Sequence, residues 1–370
     1  MTNSENKKGK KQETTLLRVL KYSGMRLVAL IVTVVVGVYL TILIANMGGY
    51  VDELQKAQVN DNITQAAAKD PNVRKMTPES RKEYIEKQKE LEYKRLGLDQ
   101  PFLVKSFRFL WKAVTLDFGK ASMMVSDSGS KLVRLIIMER LAPSLLLMGT
   151  SNLILFFAAM AISLALSRRY GSFVDKMFIS LSPLSSMPAW FYGIFLILIF
   201  ASILHILPFS GMIDAPPPDP GWPYVFSVLR HFILPVISLI ISQAFASIYT
   251  WRTFFMIYSS EDYVEMAKAK GLPSKLIKNK YILRPTLPTI ITSFSLLMIT
   301  SWMGAMLTEK IFQLPGLGSV IVEAVGRYDT AVIVATTIIY GYLLAITVFL
   351  LDFVYALVDP RVKVGVGNGG

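Results

Sequence analysis

The 370-residue chain contains no cysteine and only two histidines. Disulfide frameworks, thiol nucleophiles and cysteine metal sites are therefore excluded. His205 and His231 stand too far apart in sequence for a local metal motif and read as ordinary residues at helix ends. Charged residues make up only 18% of the chain and hydrophobic ones 53%, with a mean hydropathy of +0.46. That is too apolar for an ordinary globular protein. The phosphate-cradling pattern G-x-x-x-x-G-K-[ST] is missing, as are H-E-x-x-H, G-x-S-x-G and a dinucleotide fingerprint. No enzyme constellation emerges, so energy for any transport has to come from ions or from another subunit.

Long apolar runs are plentiful. A membrane span needs about 20 mainly apolar residues, because the hydrocarbon core is about 30 Å thick and a helix rises about 1.5 Å per residue. Six segments meet this test: 27–47, 144–166, 177–204, 232–251, 286–307 and 331–358. The first follows Lys and Arg but is too long for a signal-peptide core, and "IANMGGY" offers no convincing cleavage site, so it reads as an uncleaved first helix. The fold class expected is an all-α integral membrane protein with six transmembrane helices.

The formal net charge of +13 raises the question of nucleic acid. With the N-terminus placed in the cytoplasm, residues 1–26, 167–176, 252–285 and 359–370 lie inside. They hold 19 Lys or Arg against seven Asp or Glu, nearly the whole excess. The positive-inside rule accounts for that distribution, and no nucleic-acid partner is expected. The chain then divides into a basic cytoplasmic tail (1–26), the first span (27–47), an extracytoplasmic segment (48–140), a membrane core (141–358) whose inner loop runs over 259–285, and a cytoplasmic tail (359–370). The partner implied throughout is the lipid bilayer.

Within the outer segment, "TPESRKEYIEKQKELEYKR" reads as a helix with Thr77 as cap, Pro78 in the first turn, and Glu83–Lys87 and Glu90–Lys94 as i,i+4 pairs. It is either a solvated helix packing on the outer mouth or a docking site for an external partner. In "LSPLSSMPAWFYG", Pro183 and Pro188 each remove a backbone donor, which predicts a broken or kinked third span. Such a break either lines a cavity or is a kink in a packed bundle. "SGMIDAPPPDPGWP" is a rigid outer loop. Asp352 lies near the cytoplasmic end of the last span and reaches the interface or pairs locally. Glu309 and Lys310 are adjacent and opposite in sign at the outer end of the fifth span, where an exposed or funnel-lining position is expected. Trp190, Phe191, Tyr192, Trp251 and Trp302 are candidates for a substrate path, against the ordinary alternative of core or headgroup packing.

The inside loop 252–285 is the longest of its kind. "YSSEDYVEMAKAKG" has Ser259 or Ser260 as N-cap candidates, Glu261, Asp262 and Glu265 early, Lys268 and Lys270 late, and Gly271 as a stop, an order that suits the helix dipole. A second helical piece, "LPSKLIKNKYILRP", leads back to the membrane, with Pro285 and Pro288 at the entry to the fifth span. By these residues alone the loop is equally a basic segment lying on anionic lipid and a short helix built for close contact through Ala267 and Ala269.

"EMAKAKG" followed by "YILRPTLP" resembles the cytoplasmic coupling loop of binding-protein-dependent ABC importer permeases, with pattern E-A-A, three residues, G, about nine residues, then I-x-L-P. Met266 replaces the middle Ala, and "ILRP" ends one residue late. The longer string "DYVEMAKAKGLPSKLIKNKYILRPTLP" is similar to the dipeptide, oligopeptide and nickel subgroup. "LGLDQP", "LDFGKAS", "IFQLPGLGSVIVEAV" and "DFVYALVDPRV" agree in order, so the likeness covers about residues 96–363. Residues 48–95 depart from the short connection of that subgroup.

The resemblance implies the type I ABC importer permease fold, with both termini cytoplasmic and no catalytic role. It implies a second permease of similar fold, two ATPase subunits that use ATP and Mg, and an extracytoplasmic solute-binding protein. No cofactor or metal is expected on this chain. Glu265, Met266, Ala267, Ala269 and Gly271 fall on the ATPase-coupling helix, and the lysines around them act as orientation signals. Trp190, Tyr192, Trp302 and Glu309 are the substrate-path candidates. The cargo expected is short peptides, with oligosaccharides as runner-up and nickel third; an ion-coupled carrier or channel is the reading from a different class.

Overall fold

Apolar runs and capping residues divide the chain into helices, and every named element is helical. In the computed structural model residues 15–46, 50–300 and 305–358 are described. Among them the one β feature is an isolated bridge between Lys120 and Leu132. Helix α1 (Thr15–Asn46) is followed by α2 (Tyr50–Lys69), the single turn α3 (Pro71–Arg74) and α4 (Pro78–Leu96). As expected, Thr77 caps α4, its Oγ1 accepting from the Ser80 N–H at 3.3 Å, and Lys94 pairs with Glu90 at 2.7 Å. α2 and α4 pack together, with the Tyr93 hydroxyl donating to Asn60 Oδ1 at 2.8 Å. α5 (Phe102–Val114) lies against α1: Phe107 stacks on Tyr39 at 5.3 Å, and Ala113 packs with Val38 and Ile42.

The centre of the molecule is α6 (Val133–Leu166), which makes its most extensive packing with α9 (Trp222–Ser259). Between them run α7 (Phe173–Ser180), a 3-10 turn at Ser182–Ser186, α8 (Ala189–Leu196) and a π turn at Ile197–Ile203. The Ser163 hydroxyl of α6 donates to the Ile248 carbonyl of α9 at 2.8 Å. α10 (Asp262–Ala269), α11 (Ser274–Leu276) and a π turn at Ile277–Leu283 lead into α12 (Arg284–Thr300). The chain ends through α13 (Met306–Ile311), α14 (Leu317–Gly326) and α15 (Thr330–Val358).

Among the described residues four helices are long and apolar enough to cross a membrane: Gly24–Ile44 of α1, α6, α9 and Thr330–Asp352 of α15. Residues 173–186 and 189–203 make a fifth when counted as one span bent by 100°. The fifth expected span, 286–307, is overlapped by α12, whose 17 described residues are not among those helices; residues 301–304 lie outside the described set. The break in the third span falls where the prolines place it: Met187 and Pro188 are both extended, at ψ 136° and 153°.

α6 starts eleven residues before the expected 144, because Val133, Ile136 and Ile137 are buried against Leu317, Val320 and Val332. The charged residues of that stretch are met outside the core: Glu139 accepts from the Asp127 N–H and the Ser128 hydroxyl, Arg140 pairs with Asp127, and Arg134 is exposed. Asp352 pairs locally as expected, its carboxylate 3.5 Å from Arg26 of α1. His231 lies inside α9 rather than at its end, Nδ1 2.8 Å from the Ser227 carbonyl, and His205 holds the Ala201 carbonyl at 3.1 Å. Both act as backbone partners.

One buried ion pair fastens α7 to α9. Arg252 forks onto Asp175, Nη2 to Oδ2 at 2.6 Å, with the second contact from Nε to Oδ1; their side chains are 6% and 1% exposed. The Gly171 N–H donates to the same carboxylate at 2.9 Å.

Candidate functional site

The short helix α10 sits at the end of α9. Its N-cap is Glu261, in an extended conformation and without a side-chain cap. This corrects the expected serine caps: Ser259 donates to the Phe255 carbonyl at 2.6 Å and Ser260 to that of Ile257 at 2.9 Å, so both close the last turn of α9. Hydroxyls within reach of free carbonyls at a helix C-terminus satisfy those first. The stop is as expected. Gly271 has φ of +68°, its N–H reaches the Lys268 carbonyl at 2.9 Å, and the Leu272 N–H reaches that of Ala267 at 3.3 Å. This is the paired Schellman closure, which favours glycine because an L side chain in the left-handed region is strained.

Val264 and Ala267, three residues apart, share the buried face of α10. They pack in a cluster with Phe156 and Leu164 of α6, Phe255 of α9, Ile277 and Ile282 of the π turn, and Ile290 of α12. Asp262, Glu265, Met266 and Ala269 face outward, with Met266 59% exposed. Of the two alanines expected at a partner surface, Ala267 therefore packs against its own chain and Ala269 is the exposed one. Burial, with Glu261 and Tyr258 close by, pushes the Tyr263 hydroxyl above its ordinary pKa. α10 is thus seated by one face against α9 and the π turn, in an apolar cluster that α6 and α12 join, and is open on the other.

A second feature lies where Pro188 and Ala189 at the break meet α6, α9 and α12, in a cleft open on the side of the exposed Pro188 and Gln243. They enclose a cavity of about 300 Å³ whose lining includes Ser151, Asn152, Ser242, Gln243 and Leu297. Irregular backbone at membrane depth is stable where it borders such a space. The break thus borders a cavity. A larger space, about 560 Å³ and more open, lies at the α6 terminus beside Arg168 and Arg169 and borders none of the broken span's prolines.

Sequence reasoning chose the aromatic neighbours instead. Trp190 is half-buried beside Phe191, and the Tyr192 hydroxyl donates to the Leu184 carbonyl, bracing the 3-10 turn. Neither is in the cavity lining. Trp251 packs among Phe156, Phe254 and Phe255. Trp302 lies outside the described residues. Asn152 and Gln243 were missed because only charged and aromatic residues in the spans were weighed; uncharged polar pairs inside apolar runs, "TSN" and "ISQ", were the available signal.

Glu309 requires a correction. It is 2% exposed, not at an open surface. Its carboxylate accepts from the Ser144 hydroxyl at 2.6 Å and the Ser319 N–H at 3.0 Å, which ties α13 to α6 and to the start of α14. A Cβ on Gly316 would come within 2.3 Å of Glu309, and one on Gly318 within 2.6 Å of Met306 Cα, so "PGLG" is glycine-rich because the backbone wraps this carboxylate. Its adjacency to Lys310 suggested exposure, but a carboxylate with several backbone and hydroxyl donors is stable when buried. Glu309→Ala is expected to lower stability by roughly 1–3 kcal/mol, since the buried Ser144 hydroxyl and the half-buried Ser319 N–H lose their acceptor. Thermal unfolding in detergent measures it, and an unchanged midpoint contradicts the structural role.

Residues 154–364 match the family described as binding-protein-dependent transport system inner membrane component. The chain is 30% identical over 268 residues to the dipeptide transport system permease protein DppB of Bacillus subtilis (strain 168), covering 72% of this chain and 81% of that one. It is 30% identical over 289 residues to the DppB of Lactococcus lactis subsp. cremoris, with coverage of 78% and 89%. To the oligopeptide transport system permease protein AppB of Bacillus subtilis it is 29% identical over 310 residues, 81% of this chain and 92% of the relative. A solved chain of the inward-facing MetNI methionine ABC transporter matches 60% of this chain with a TM-score of 0.47 and 14% identity. The chain belongs to the binding-protein-dependent transport system inner membrane components, the permeases of ABC importers.

Proposed function

We propose that this chain forms half of the translocation path of an ATP-driven importer of short peptides and carries the contact through which ATP hydrolysis drives it. The observation that supports the coupling role most is the two-sided build of α10: Val264 and Ala267 anchor it in an apolar cluster against α9 and the π turn, while Glu265, Met266 and Ala269 remain free. A push on the free face reaches α9 directly and α12 through the π turn. In this reading the free face seats in a groove of an ATPase subunit, where ATP and Mg bind. A second permease completes the path, and an extracytoplasmic solute-binding protein delivers cargo. The chain crosses the membrane six times with both termini in the cytoplasm, in the type I arrangement, and itself catalyses nothing.

Peptide cargo is supported by the relatives named for dipeptide and oligopeptide transport. The uncharged polar lining of the cavity also suits sugar hydroxyls, so oligosaccharides are the second cargo class to test.

The decisive variant is Gly271→Asp. Nothing lies within 4 Å of a Cβ there, so the side chain meets no clash and the strain is confined to the left-handed backbone, a cost of about 1–2 kcal/mol. Membrane insertion and assembly are expected to survive, while peptide uptake per ATP hydrolysed falls severalfold in liposomes holding the whole complex. Normal substrate-stimulated ATPase and uptake would sink the assignment.

A further inference from the structure

The cavity at the broken span holds a polar group that the fold does not use. Asn152 is 5% exposed and borders the cavity from α6, and no hydrogen bond occupies its carboxamide among the described residues. The amide is not among the buried polar atoms cut off from solvent, so it opens to the cavity that it borders. The neighbouring hydroxyls do not supply a partner: Ser151 donates to the Leu147 carbonyl at 2.7 Å and Ser242 to that of Leu239 at 2.8 Å, each within its own helix. Their oxygens stay available as acceptors. Gln243, from α9, brings a second carboxamide to the same space on its more exposed side.

We propose that Asn152 and Gln243 form a carboxamide pair that hydrogen-bonds the backbone amides of a peptide in transit. A carboxamide offers donors and an acceptor in one plane, the complement of a peptide unit's C=O and N–H. The cavity lining carries no charged side chain, so the pair reads the backbone, which every peptide shares, and leaves side-chain charge unread. Two neutral contacts bind weakly enough for release, as passage requires. This inference rests on the peptide reading above and adds to it a recognition point inside the permease, separate from the selection made by a binding protein.

The test compares trialanine with its depsipeptide analogue, in which an ester replaces one amide and removes an N–H donor. Uptake is measured in liposomes holding the complete transporter and its binding protein, for the wild type, Asn152→Leu and Gln243→Leu. Because the binding protein is the same throughout, its own preference cancels between wild type and variant. The expected result is a fall in trialanine uptake of about fivefold to tenfold in each variant. Depsipeptide uptake is expected to fall less, so that the preference shrinks. Preference unchanged in the variants would overturn the proposal; Gln243→Leu, at the more exposed position, keeps the comparison readable if Asn152→Leu fails to assemble. Uptake of cellotriose but not of trialanine by the wild type would overturn the peptide reading itself, and the carboxamide pair with it.

Discussion

Arg252→Met is expected to destabilise the permease by about 3–5 kcal/mol, because it leaves the Asp175 carboxylate buried without its cation. Asp175 is 1% exposed, and its remaining donor is the Gly171 N–H at 2.9 Å, too little to hold a full negative charge out of water. The pair links the first helix of the broken span to α9, so its loss frees the hinge side of the break. The double variant Asp175→Leu/Arg252→Met tests the cause: removing both charges removes the desolvation penalty together with the attraction, and stability is expected to recover by more than half. Thermal unfolding in detergent and the yield of assembled complex report both. A double variant no more stable than Arg252→Met would show that the damage comes from lost packing, not from a stranded charge.

The helical character of the chain was legible because its signals are local. Runs of apolar residues, the Thr77 cap, the Gly271 stop and the prolines at 183 and 188 each act within a few residues, and each appears where the sequence places it. What escaped depends on distant partners. Glu309 is buried because Ser144, 165 residues earlier, and the N–H of Ser319 converge on it. Asp175 meets Arg252 across 77 residues, and the first turns of α6 are helical and buried because α14 and α15 cover them. No reading of neighbours predicts such meetings. Ser259 and Ser260 failed for a different reason: between two helices only a few residues apart, a hydroxyl serves either the end of one or the start of the next. The carbonyls of α9 took both.

The cavity at the break was missed through a choice of residue type. Aromatics were weighed for stacking, yet the rings of Phe156, Trp251, Phe254 and Phe255 fill a packed cluster beneath α10. The cavity falls instead to serines, Asn152 and Gln243 at the proline break. Backbone groups freed by Pro183 and Pro188 and unpaired amides need the same thing, a polar space within an apolar bundle, so a search for prolines flanked in space by neutral polar residues would have found it.

The same cluster beneath α10 sets the second large expectation. Val264→Asp is expected to abolish uptake, since it places a carboxylate at a fully buried site among the apolar Phe255, Ile277 and Ile282. Such burial costs several kcal/mol, so α10 lifts off its seat rather than accept it. On the coupling role proposed above, the ATPase subunits would then hydrolyse ATP without moving the spans. Met266→Asp offers the matched comparison: the residue is 59% exposed, so the change leaves the permease fold intact and alters only the face presented outward. If α10 transmits force, both variants lose uptake, but only Val264→Asp lowers the unfolding temperature of the permease. Full uptake with Met266→Asp would mean that the outward face of α10 touches no ATPase. Equal unfolding temperatures for the two would mean that Val264 does not anchor the helix, since a lever unseated from its cluster cannot leave the stability of α6, α9 and α12 unchanged.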